Sequence, residues 1–151
     1  MKKTSDYQIE IARLDAEIAA LEPDALKPPL DGERATRLAY RLYQRASLAG
    51  DLAALESVGA TLDRLALQLT PATDLHFLKA SLDFKLHRLK DVRRDIEVAG
   101  AALRESLPGR ALLADLAFEE GRYAQAEQDY QALIREDRTW DNLARLAHLR
   151  T

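Results

Sequence analysis

The chain has 151 residues and a mass of 16.9 kDa, room for one domain or a short repeat array but not for a second catalytic domain. Apolar residues make up 47% and charged residues 31%, enough to bury a core, while 22 Lys and Arg against 25 Asp and Glu leave a net charge of −3, unlike the basic excess that a phosphate backbone selects. The absence of Cys removes thiolate zinc sites, disulfide frameworks and cysteine nucleophiles together.

The first residues carry positive charge but run into Asp6, Glu10 and Asp15 with no apolar stretch behind them, so no secretory signal is expected. No window approaches the roughly 18–20 apolar residues of a membrane span, and the expectation is a soluble, cytoplasmic protein. Within residues 1–22, Tyr7, Ile11, Leu14, Ile18 and Leu21 follow a four-three-four-three spacing. That spacing predicts an amphipathic helix with a narrow apolar seam suited to pairing or docking. Its flanks, Glu10, Asp15, Glu17 and Glu22, would repel one another in a parallel homodimer. Docking on a basic surface suits the charges better, either on a partner or on the chain's own Arg34, Arg37, Arg41 and Arg45. Residues 23–32, with Pro23, Pro28 and Pro29, read as a Pro-rich linker that ends this helix.

From residue 33 to 151 the chain is rich in Ala, Leu, Arg, Glu and Gln, and its few Gly and Pro fall between periodic segments, which predicts an all-α fold. Breaks are expected at Gly50, from Thr70 to Thr73, around His87 to Leu89, at Pro108-Gly109, at Gly121, and near Asp137 to Thr139. Between them, residues such as Leu38, Leu42, Leu62, Leu65 and Leu69 recur at three and four, as in amphipathic helices. Thr73 or Asp74 and Thr139 are expected helix N-caps.

The helices also repeat. Ala80 and Ala114, Leu82 and Leu116, Phe84 and Phe118, Leu89 and Tyr123, Val92 and Ala126, and Ile96 and Tyr130 are each 34 residues apart, the period of a helix-turn-helix array. The segment carrying Ala114, Phe118, Gly121, Tyr123, Ala126 and Tyr130 resembles one tetratricopeptide repeat. His87 stands where the middle unit would have its turn Gly, and Gly50 lies 37 residues before it. The resemblance implies an α-solenoid of about three antiparallel helix pairs, closed by a capping helix starting at Trp140, with the N-terminal helix outside the array.

The same resemblance implies a concave surface lined by the first helix of each pair and used to bind a protein or peptide. Helical spacing puts Tyr40, Gln44, Phe77, Ser81, Phe84, Asp115, Phe118 and Arg145 there, with aromatic side chains flanked by both signs of charge. Relatives that hold a partner's terminal carboxylate do so with Lys or Asn, and Tyr40, Gln44 and Leu78 stand at those places instead. A catalytic alternative, His76, Asp83 and His87 as metal ligands, would spread one site along about 16 Å of helix. Arg88, Lys90, Arg93 and Arg94 sit among Asp91, Asp95 and Glu97, which cancels the field a nucleic acid would need. The expectation is a non-catalytic adaptor or scaffold without cofactor or metal. The alternatives are a homo-oligomeric structural protein, such as a homodimer, assembled through Tyr7, Ile11, Leu14, Ile18 and Leu21, and, as the resemblance implies, an accessory subunit of an enzyme or secretion complex.

Overall fold

The computed structural model describes residues 5–69 and 73–151, and among these all regular structure is helical. The elements are α1 (Asp6–Ala25), α2 (Gly32–Ala49), α3 (Leu52–Gln68), α4 (Thr73–Lys85), α5 (Leu89–Ala99), α6 (Ala101–Glu105), α7 (Leu107–Glu119), α8 (Tyr123–Glu136) and α9 (Trp140–Leu149). No helix among the described residues is long and apolar enough to cross a membrane. The chain divides into two compact units, one ending at Leu82 and the other starting at Asp83, with the boundary inside α4.

In the first unit α1 packs on α2 and α2 on α3. Ser5 caps α1 reciprocally with Gln8: the Gln8 N–H donates to Ser5 Oγ at 3.2 Å, and the Ser5 N–H donates to Gln8 Oε1 at 3.0 Å, satisfying two otherwise orphaned amides. Asp31 and Asp51 cap α2 and α3 by accepting from Arg34 and Ala54. Ile18, Ala25 and Leu38 form a core cluster joined by the half-buried Leu21 and Leu42. Gly59 is buried on α3, and a Cβ there would lie 3.1 Å from Leu82 Cδ2, so the missing side chain lets α4 approach.

In the second unit α7 packs on α8 and α8 on α9, around Ala111, Ala114, Ala117, Ala126, Tyr130 and Leu133, with Phe118, Leu146 and Leu149 against them. The small alanines permit close helix packing, and Tyr130 fills the space they leave.

Three turns share one geometry. Gly50, His87 and Gly121 have φ of 63°, 58° and 78°. The next residue's amide reaches back to a helix carbonyl in each: Asp51 to Ala46 at 3.1 Å, Arg88 to Asp83 at 2.8 Å and Arg122 to Ala117 at 2.8 Å. This is the left-handed cap bonding that closes a helix before a reversal. At 34-residue separation even the residues that follow agree, Arg88 at φ −93°, ψ 64° and Arg122 at φ −84°, ψ 62°. Most of the paired positions agree in burial: Ala80 and Ala114, Leu82 and Leu116, and Val92 and Ala126 are all fully buried, whereas Leu89 is half-buried and Tyr123 exposed.

Three expected boundaries are corrected. Pro23 does not end the first helix, which runs on to Ala25. The carbonyl deprived of its partner belongs to exposed Ala19, on the solvent side of the helix. The linker between helices is therefore 26–31 instead of 23–32. Pro108-Gly109 is not a break either: both lie in the first turn of α7, where Pro is tolerated because its N–H is not needed, and the Gly109 N–H donates to Ser106 Oγ at 3.1 Å. The breaks fall instead at Gly100, with φ of 82°, and at Ser106. Thr139 caps α9 as expected, accepting from the Asn142 N–H. Thr73 is the first residue of α4, and residues 70–72, where the preceding break was expected, lie outside the described ones, as do residues 1–4.

Candidate functional site

The first unit carries a groove of about 610 Å³. One wall is a stripe along α2, Glu33, Thr36, Arg37, Tyr40 and Arg41, at intervals of three and four residues, the spacing of one helical face. Leu69 at the end of α3 and Thr73, Asp74 and Leu75 at the start of α4 make the other side. Tyr40 is 43% exposed although large and aromatic. The charges around it are mutually engaged: Arg37 donates to Glu33 at 2.9 Å, while Arg41 pairs with Glu17 of α1 at 2.5 Å and donates to Gln44 Oε1 at 2.8 Å. An apolar ring between fixed charges of both signs can seat a side chain and orient the chain carrying it.

Of the other predicted binding residues, Phe77 and Ser81 are half-buried on α4, where the Ser81 hydroxyl donates to the Phe77 carbonyl at 2.9 Å. Phe84 is half-buried near the end of that helix. Leu78 is 1% exposed and belongs to the core.

Asp115, Phe118 and Arg145 come together in the second unit and are used within it. Arg145 Nε donates to both Asp115 carboxylate oxygens at 3.0 and 3.1 Å, and the Tyr130 hydroxyl donates to Asp115 Oδ1 at 2.9 Å. Arg145 also donates to Asn142 Oδ1 at 3.0 Å, and Asn142 donates to the Asp137 carbonyl at 2.8 Å. Burial pushes the Asp115 carboxyl above its ordinary range, against the opposing pull of Arg145 and Tyr130. The Tyr130 hydroxyl is held above its usual value by burial and by the Asp115 charge. Phe118 lies edge-on to Tyr123 at 5.5 Å and tilted against His148 at 5.4 Å. These three side chains join α7, α8 and α9.

The seam of α1 is likewise engaged within the chain. Leu14 and Ile18 are buried, Ile11 and Leu21 half-buried, and only Tyr7 is exposed. Asp15 pairs with Arg45 at 2.5 Å, Glu17 with Arg41, and Asp24 with Arg34 at 3.5 Å, so the acidic helix meets the chain's own arginines. At the other terminus Trp140 begins α9 and is 87% exposed. Among the described residues no three His, Asp or Glu side chains are grouped to hold a metal ion. His87 has its ring exposed, 4.0 Å from Glu119.

Sequence reasoning missed Glu33, Thr36, Leu69 and Asp74 as groove walls, and Tyr130 and Asn142 as members of the Asp115 network. The α2 stripe was visible in the spacing; the remainder needs the helix packing. No family model, curated protein or solved structure matches this chain.

Proposed function

We propose that the chain is a small tetratricopeptide-like α-solenoid that acts without catalysis, as an adaptor binding a protein or peptide segment along the groove of α2 and the start of α4. The observation carrying this reading is the exposed Tyr40 ring set among Arg37, Glu33 and Asp74 in a concavity of about 610 Å³. The recurring turn at Gly50, His87 and Gly121 supports the repeat reading. In this reading Asp115, Phe118 and Arg145 fasten the capping helix, and of the residues expected on the concave surface Tyr40 lines the groove, while Gln44, Phe77, Ser81 and Phe84 lie outside its walls.

Selection of displayed peptides against the full chain tests the reading. Selected peptides should bind the wild type and lose about tenfold or more in affinity, roughly 1.4 kcal/mol, when Tyr40→Ala is combined with Arg37→Ala. Melting should stay unchanged because both side chains are exposed. Peptides indifferent to the double substitution would place the interface elsewhere.

A further inference from the structure

The walls of the α2 groove are unequal in charge once their own ion pairs are counted. Arg37 is held by Glu33 at 2.9 Å and Arg41 by Glu17 at 2.5 Å, so both guanidiniums of the lining already face a carboxylate. Asp74 stands on the other side, exposed at the start of α4, and among the described residues no arginine or lysine pairs with it. Its place in the first turn of α4 favours the ionised carboxylate, because the helix amides there carry partial positive charge. With Glu17 counted, two cations face three anions. The rest of the lining includes an aromatic ring and apolar surface: Tyr40 is open to solvent, and Leu69 and Leu75 supply apolar wall.

We propose that the groove selects a peptide segment carrying a cationic side chain, arginine ahead of lysine, next to an apolar residue. The proposal rests on the reading of this groove as a peptide-binding surface and adds the chemistry of its ligand. A guanidinium offers a flat face to the Tyr40 ring and an edge of N–H donors to the Asp74 carboxylate, and the adjoining apolar side chain packs on Leu69 and Leu75. An acidic segment meets the opposite situation. It would have to displace Glu33 or Glu17 from an arginine that is already paired, gaining one contact for each one lost, and would stand near the like charge of Asp74. Selection by sign is the difference between these two cases.

The test starts from a random library of displayed peptides selected on the full chain, keeping those whose binding falls with Tyr40→Ala. Arginine or lysine next to an apolar residue should recur among them. A synthetic, fluorescein-labelled copy of one should lose about tenfold in affinity when its cationic residue is replaced by glutamine. Asp74→Asn in the protein should cost about the same, and the two changes together should cost no more than either alone, since both delete one contact. Groove ligands without a recurring cation, or additive losses from the two changes, overturn this proposal and leave the peptide-binding reading standing. Ligands that ignore Tyr40→Ala overturn it too, and ones that also ignore the Tyr40 and Arg37 double substitution take the peptide-binding reading with it, as does a selection that recovers no peptide. The glutamine replacement leaves the protein untouched, so a peptide that binds equally well with it overturns the proposal even if Asp74→Asn disturbs α4.

Discussion

The two terminal helices do the same job by different means. α9 is fastened through a half-buried carboxylate that receives two donors, through the buried Asn142, and through Leu146, Leu149 and Phe118 in an apolar cluster. α1 is fastened through a narrow seam and ion pairs that stand largely in water. A buried network is specific and costly to break, whereas an exposed one is graded and sensitive to salt. The contrast teaches that the polar fastening of α9 is buried within its unit, whereas that of α1 is largely exposed around a buried apolar seam.

The largest expected effect would remove the platform on which α9 rests. A Cβ at Gly109 would lie 1.8 Å from the Leu103 carbonyl oxygen, so Gly109→Ala forces α6 and α7 apart. It should cost about 3 kcal/mol or more, read as loss of the second unit's cooperative melting with α1 to α3 still helical. Survival of that transition would show that α9 needs no such platform.

Next in size is Arg145→Ala, which leaves Asp115 half-buried with Tyr130 as its remaining donor. A loss of about 2 kcal/mol is expected, largely recovered by adding Asp115→Asn. Asp115 already sits above its ordinary range because of burial, and loss of Arg145 raises it further. A raised carboxyl favours the folded state at low pH and withdraws that support as pH rises through its folded value. The penalty of Arg145→Ala should therefore shrink as pH falls toward about 4, measurable by urea melts across pH. Glu120 provides the opposite sign. Arg93 and Arg122 hold it below the usual carboxylate range, so its contribution is present above that range and is lost on acidification.

At the other terminus Arg45→Ala should cost only a few tenths of a kcal/mol, and the difference from wild type should vanish near about 1 M salt. A salt-independent loss above about 2 kcal/mol would show that this ion pair acts as a buried one, like that of Asp115 with Arg145. The smallest change expected is a gain. His87 occupies a left-handed conformation that Gly50 and Gly121 adopt without penalty, so His87→Gly should stabilise by up to about 1 kcal/mol, visible as a slightly higher melting temperature.

The helices and their turns were legible because they rest on local chemistry. The 34-residue offset carries small and large apolar residues to equivalent places, and Gly50 and Gly121 mark the reversals. Where local chemistry is ambiguous, reading failed. Proline both removes a bond and crowds the preceding turn, yet Pro23 lies in the last turn of α1 over exposed Ala19 and is tolerated there. A Pro-Gly pair resembles a turn unless the glycine is required for close passage under Leu103. The candidate site was half legible: Tyr40 and Arg37 follow from helical spacing, whereas Asp115 and Arg145, 30 residues apart, looked like free surface charges because only the folding back of α9 brings them together.

Trp140 is the sole indole of the chain and stands almost wholly in water at the start of α9. With 87% of its surface exposed, its emission should be that of a solvated indole and should shift little on denaturation, so that unfolding is better followed by circular dichroism or calorimetry. The same silence makes it a clean reporter: a blue shift of that single fluorophore would register another surface arriving at the start of the closing helix.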